Sequence, residues 1–366
     1  MRSVKGSVVI ASILLVQACS EGGIGGTGTI TDPSTGVTLV DVSGQANKGP
    51  FSEGAEVHAR TRAGDAMGNS ATNGHLGEFT VRMEEGVAGR IDITGRFFSE
   101  NRGVMSDDGI TLSAMAMGDP EWRANVNVGT HLVHQRIVEL MDSGLSFEEA
   151  VSSAHEEMIE AMSEVIPAPA NPVRFNELVV INAAQAENNP EGNAWLLTCT
   201  SLLERVAISR SEANGTTMEA ELQALLDEMS AAFADDGTLP AGLMSELMAA
   251  RSEVNPDAVH QHLFGLDDDL RDDVLMGHFG MSRMEASSME CSITGSEIEC
   301  MSGGGMGGGM YRMELEGMVA NMNRFMDTDG DGIVNHDDDD DDGDGIPDVD
   351  DDTPYGHDEM MGGGSQ

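Results

Sequence analysis

The hydrophobic pattern of the chain changes period once, near Asp119-Pro120, and that switch bounds what the chain can fold into. From about Val37 apolar and polar residues alternate. Ala55, Val57 and Ala59 enclose Glu56 and His58; Phe79, Val81 and Met83 enclose Thr80 and Arg82. Ile91 and Ile93 flank Asp92, while Ile110, Leu112 and Ala114 enclose Thr111 and Ser113. Period two sends alternate side chains to opposite faces of a strand, and turn-rich stretches such as Ala63-Gly64-Asp65 and Asn73-Gly74-His75 separate the runs. Residues 37–118 are therefore predicted to form a small antiparallel β sandwich.

Beyond the switch the period is helical. Val126 to Met141 carries Leu132, Val133, Ile137, Leu140 and Met141 on one side. Ser146-Phe-Glu-Glu149 reads as a capping box opening a second helix, with Ala150, Met158, Ile159, Met162 and Val165 on its apolar face. Pro167, Pro169 and Pro172 end it. Helices are expected at about 194–210, 217–234 and 240–253, with Thr216 and Glu219 as another capping box and Asn255-Pro256 as cap and first turn of a further helix. Residues 119–280 are read as an all-α domain. The fold class is α+β multidomain.

The N-terminus reads as a processing signal. Arg2 and Lys5 precede an apolar run, Val8 to Val16, too short to cross a bilayer, so residues 1–18 are read as a signal peptide. Val16-Gln17-Ala18-Cys19 resembles the bacterial lipobox; the alternative is an ordinary signal peptide with an incidental Cys. The resemblance implies lipidation at Cys19 and, with Ser20 in place of a retention Asp, the outer membrane or cell surface. Acyl chains contribute ~0.8 kcal/mol per buried CH₂, so several chains make a stable anchor. Residues 19–36, rich in Gly and Thr, are read as a tether.

Lys48-Gly49-Pro50-Phe51, Gly77-Glu78-Phe79, the tract from Asn125 to Leu132, Gly144 to Ala150, Leu222 to Leu226 and Asp235 to Leu239 are similar to tracts of a group of uncharacterised bacterial surface lipoproteins. In that group a carboxypeptidase-regulatory-like β domain precedes a helical bundle. The resemblance, over roughly 47–264, implies architecture and surface location and no catalytic activity.

The sharpest chemical pattern is C-terminal. Asp327, Asp329, Asp331, Ile333, Asn335 and Asp338 recur 13 residues later as Asp340, Asp342, Asp344, Ile346, Asp348 and Asp351, with Gly332 and Gly345 at the sixth position. Calcium takes six to eight hard oxygens. Asp at positions 1, 3 and 5 converges three carboxylates, the position-7 carbonyl adds an oxygen, and the twelfth residue closes the shell. There is no room for the exiting helix of an EF-hand. Residues 327–354 are instead similar to thrombospondin type 3 repeats, with a plain solvated acidic tail as the alternative. Calcium is the expected cofactor, with all twelve residues of the two copies as candidate site residues.

Cys291-Ser-Ile-Thr-Gly-Ser-Glu-Ile-Glu-Cys300 has a mirror-like register about Gly295-Ser296, predicting a hairpin closed by a Cys291–Cys300 disulfide in an oxidising compartment. Residues 281–310 are read as this hairpin and a Gly/Met-rich linker, 311–326 as a helix and 355–366 as a flexible tail. Cys199, inside an apolar stretch, is read as a core thiol. Met301, Met306, Met310, Met313, Met318, Met322 and Met326 raise a copper reading. The better reading is packing: Met318, Met322 and Met326 fall at i, i+4 spacing and can form one face. His131, His134 and His155 are read as core or surface histidines before a metal site.

The formal charge of −45, from 64 acidic and 19 basic side chains, argues against nucleic acid, where Lys and Arg neutralise phosphates. Residues 327–352 hold 14 Asp, but the remaining excess is diffuse and suits a saline exterior. The expected protein is an exported, lipid-anchored, calcium-binding surface protein with a structural or adhesive role and a protein or glycan partner, and not an enzyme. The competing readings are a copper-handling envelope protein and a hydrolase with its site between the β and helical domains.

Overall fold

The computed structural model describes residues 29–31, 36–74, 76–180, 189–264, 290–294, 297–301 and 320–351. The signal peptide with Cys19, nearly all of the tether, the Gly/Met linker and residues 355–366 lie outside the described residues.

The period-two segments are strands: β1 (Ile30–Thr31), β2 (Thr38–Asn47), β3 (Glu56–Thr61), β4 (Ala66–Ala71), β5 (Glu78–Glu84), β6 (Ala88–Gly95), β7 (Phe98–Ser99), β8 (Val104–Met105), β9 (Ile110–Met117) and β10 (Val126–Asn127). One sheet is antiparallel in the order β4-β3-β6-β9. In the other, β2 carries β5 and β1 antiparallel and β10 parallel. The parallel pair corrects the purely antiparallel expectation: Val126 and Asn127, read as helical, close the sheet against Ala46 and Asn47 before the first helix starts. The alternating residues do face inward. Val40, Val42, Val57, Ala59, Phe79, Val81, Met83, Ile91, Ile93, Ile110, Leu112 and Ala114 are all at most 2% exposed.

The helices are α1 (Val128–Asp142), α2 (Phe147–Ala161), α3 (Pro190–Asn214), α4 (Met218–Asp236), α5 (Ala241–Arg251) and α6 (Pro256–Phe264). Ser146 and Glu149 form the expected capping box of α2, and Asn255 Oδ1 accepts the Ala258 N–H at 2.9 Å. The second capping box is corrected by one residue. Thr217 caps α4, because Glu219 is drawn into the seam with the sheets, where it accepts the Asp107 N–H at 3.1 Å and faces Arg102.

Sheets and helices share one continuous hydrophobic core, from Val40 through Trp195 to Met326. The joint is made at the outer edge of β9. An open strand edge exposes unpaired N–H groups. Here Thr111 N–H donates to Gln223 Oε1 of α4 at 2.6 Å and Ser113 N–H to His131 Nδ1 of α1 at 3.1 Å. Beside this joint a cleft of ≈ 540 Å³ opens between the β7–β9 region and the helices, lined among others by Asn101, Arg102, Asp107, Arg205, Glu212 and Glu219.

A separate hairpin pairs β11 (Glu290–Thr294) with β12 (Glu297–Met301) in the register the sequence predicts, Cys291 opposite Cys300 and Ile293 opposite Ile298. Its turn and its side chains, and with them the predicted Cys291–Cys300 disulfide, lie outside the described residues.

Candidate metal centre

The two acidic loops are built on one hydrogen-bond frame, repeated 13 residues apart. Asn335 N–H donates to the Met326 carbonyl and Asp348 N–H to the Asp339 carbonyl, both at 2.9 Å. Asp329 Oδ1 accepts the Asp331 N–H and Asp342 Oδ1 the Asp344 N–H, both at 3.0 Å. Ile333 and Ile346 give their N–H groups to Asp331 and Asp344 at 2.8 and 2.7 Å. Gly332 and Gly345 have φ of 99° and 90°, where any Cβ is strained. Gly330 and Gly343 are also left-handed, at 78° and 69°, so the fourth position matters as much as the sixth.

This frame gathers one carboxylate oxygen each of Asp327, Asp329 and Asp331 within 4.8 Å of one another, and does the same for Asp340, Asp342 and Asp344. Each triplet could hold a metal ion, and an all-oxygen set suits a hard cation. The remaining sequence candidates are placed differently. Asn335 Oδ1 accepts the Thr328 N–H at 3.0 Å, and Asp348 Oδ1 accepts the Asp341 N–H at 2.9 Å. Position 9 thus buttresses position 2 in both copies. Asp338 Oδ1 takes the Asp340 N–H at 3.1 Å, tying the end of one loop to the start of the next. Asp351 closes the second loop, its N–H 3.4 Å from the Asp348 carbonyl.

The first loop is docked on the helices. Met322 and Met326, at 0% exposure, belong to the shared core, which is the packing face expected of their spacing. Buried Arg251, the last residue of α5, reaches Asp327 Oδ2 at 3.3 Å, and burial lowers the affinity of its guanidinium for a proton. No family model, curated protein or solved structure matches the chain. What the site does therefore rests on its own residues.

A second charged cluster was not anticipated. Lys48, at the end of β2, is fully buried between Glu100 and Glu204 of α3, both also at 0% exposure. Its Nζ bonds Glu100 and, at 2.7 Å, Glu204 Oε2, and it lies 5.3 Å from the Phe97 ring centroid. Ser99 Oγ donates to Glu204 Oε1, and Thr200 Oγ1 to the Lys48 carbonyl at 3.0 Å. One ammonium cannot neutralise two buried carboxylates. Burial, opposed by Lys48, pushes Glu100 up to about 8; burial alone would lower Lys48, but the two carboxylates reverse this and leave it raised. The sequence carried a signal for this cluster: a lone Glu inside the apolar run of α3, and one of only two Lys in the chain.

The histidines are backbone supports. His131 caps the β9 edge, with its other ring nitrogen 3.4 Å from Asp227 Oδ1, and His155 Nδ1 accepts the Phe175 N–H at 3.2 Å. Burial holds His134 down to about 4 and His155 down to about 3, so both are neutral. Cys199 is a buried free thiol pushed up by burial to about 12, in keeping with a core role. Of the Met-rich tract, only Met322 and Met326 have described side chains. An open cleft of ≈ 980 Å³, lined among others by Trp122, Arg123, Glu148, Arg174, Asn176 and Glu177, mixes both charge signs. Asn176 Oδ1 has no hydrogen-bond partner there.

Proposed function

We propose that the protein is an exported, lipid-anchored surface protein whose C-terminal loops each bind calcium, with a structural or adhesive role. The observation that carries the reading is the pair of Asp triplets on one repeated frame. Three carboxylates at close range repel one another strongly when nothing lies between them, and a hard divalent cation turns that repulsion into the force that orders the loop. The metal-binding aspect is favoured over copper because the gathered donors are carboxylates, which suit calcium, whereas thioethers suit Cu(I). Anchoring at Cys19 is supported by the lipobox-like tract alone, and a protein or glycan partner by the surface setting it implies.

Calorimetric titration of the purified protein with calcium tests the ion site: saturable binding is expected, weakened by Asp329→Asn in one loop and by Asp342→Asn in the other. No heat at millimolar calcium would contradict it. Anchoring is tested by labelling cells with a palmitate analogue; the label should appear on the protein and vanish with Cys19→Ser.

A further inference from the structure

Lys48, Glu100 and Glu204 form a dry cluster that holds one carboxyl group more than an ion pair needs. All three side chains are at 0% exposure. Glu204 is fully engaged: its Oε1 accepts from Ser99 Oγ, and its Oε2 from Lys48 Nζ at 2.7 Å and Asn101 Nδ2 at 3.4 Å. Glu100 is not. Lys48 Nζ bonds its Oε2, while its Oε1 is buried with no hydrogen-bond partner among the described residues. Donors favour the ionised form of a carboxylate, so Glu204 is the charged group and Glu100 the one that keeps a proton. Burial, the largest influence on Glu100, acts in the same direction.

An amine held against an un-ionised carboxyl group is the starting point of an amide bond. In water the balance lies toward the free ions, because hydration stabilises ammonium and carboxylate; in a site without water that advantage is lost. The reacting groups are also held in place. Thr200 Oγ1 donates to the Lys48 carbonyl at 3.0 Å, Asn101 Nδ2 donates to the Ser201 carbonyl at 2.8 Å, and His262 Nδ1 lies 2.8 Å from the Glu100 carbonyl. Fixed contact replaces the encounter that two free reactants would need.

We propose that Lys48 and Glu100 condense to a side-chain amide, with Glu204 as the proton relay. Glu204 takes a proton from the Lys48 ammonium, and the freed Nζ lone pair attacks Glu100 Cδ. The Cδ–OH bond then breaks as Glu204 gives its proton to the departing oxygen and takes another from Nζ. The products are the amide, one water and a protonated Glu204. The cluster starts with one ammonium and one carboxylate charged and ends with no buried charge. The ion pair described above is the state the chain folds into, and the amide forms from it. The link closes a loop of 52 positions that holds β3 to β7, and it depends on neither the calcium reading nor the lipid anchor.

The intact mass of the purified full chain, reduced and denatured, tests it together with a peptide map. The wild type is expected to fall short of the mass its sequence dictates by one water, and the map to contain a branched peptide joining Lys48 to Glu100. Glu204→Gln, which removes the relay and keeps the shape, is expected to retain the full mass. A wild type that has lost no water overturns the proposal, because the cluster is then an ion pair only. A water loss mapped to any other residues, a Lys48–Glu204 link included, overturns it as well. So does a loss of ammonia, which would place the link on Asn101. A Glu204→Gln chain that still carries the Lys48–Glu100 link overturns the relay. The wild-type mass and map decide even where the variant fails to fold.

Discussion

Among the described residues stand two dense groups of carboxylates, and they differ in the positive charge placed beside them. Glu100 and Glu204 sit in the core around Lys48, so the fold supplies its own cation. The two Asp triplets of residues 327–344 have no Lys among them, and Arg251 reaches only Asp327. A carboxylate cluster that brings its own ammonium is a structural joint. One that brings none leaves room for a positive charge from outside the chain. That contrast separates the body, held by an apolar core and internally paired groups, from a tail for which we propose an ion.

Removing the internal cation should have the largest effect. Lys48→Met leaves two buried carboxylates unpaired and is expected to cost about 3–5 kcal/mol in denaturant unfolding. Adding Glu100→Leu and Glu204→Leu should recover most of that loss. If Lys48→Met alone were harmless, the cluster would not be the joint between β2, the β7 region and α3.

Acid should reveal the next difference. His134 and His155 are neutral in the folded body, with values lowered from 6.5 to about 4 and about 3, while the unfolded chain titrates near 6.5. The unfolded state therefore binds more protons between these limits. The stability these two contribute is complete above pH ~6.5 and is lost as pH falls toward 4 and then 3, at most ~3–5 kcal/mol each. Replacing His155 with Phe should flatten that limb of the stability–pH curve; an unchanged curve would remove His155 from this account of acid sensitivity.

Arg251 joins the two regions, and changing it should act on their coupling. With Arg251→Gln, calcium should still bind, but the rise in unfolding temperature that calcium gives the body should shrink. Saturating a site at 100 times its Kd adds about 2.7 kcal/mol to whatever unfolds with it. An undiminished rise would mean that the docking of Met322 and Met326 transmits the effect without the ion pair. The smallest effect concerns the hairpin: alkylation before reduction should leave Cys291 and Cys300 unlabelled, with the body's spectrum unchanged by reduction. Labelled cysteines would exclude the disulfide.

Legibility in the sequence followed the range of the interactions. The inward residues of β3, β5, β6 and β9, the capping box of α2 and the hairpin register depend on near neighbours, and period and spacing record those. The parallel β2–β10 pair could not be read locally, because Asn127 meets Asn47 from 80 positions further along the chain. Glu219 missed its predicted cap for the same reason, being claimed by Asp107 from a distant strand region. In the tail, the triplets and the sixth-position glycines were visible as a repeat, whereas the brace between positions 2 and 9 needed coordinates. The Lys48 cluster joins residues from three separated segments, and only its odd composition hinted at it.

The central claim, that the body stands on internal pairing while the tail stands on an ion, is tested most directly by hydrogen exchange on the full protein with calcium and with a chelator. The amides donating within the loops, those of Asp331, Ile333, Asn335, Asp344, Ile346 and Asp348, are predicted to be protected with calcium and to exchange freely without it. Amides of β6 and α3 should keep their protection in both. Equal protection of the loop amides in calcium and in chelator would contradict the claim.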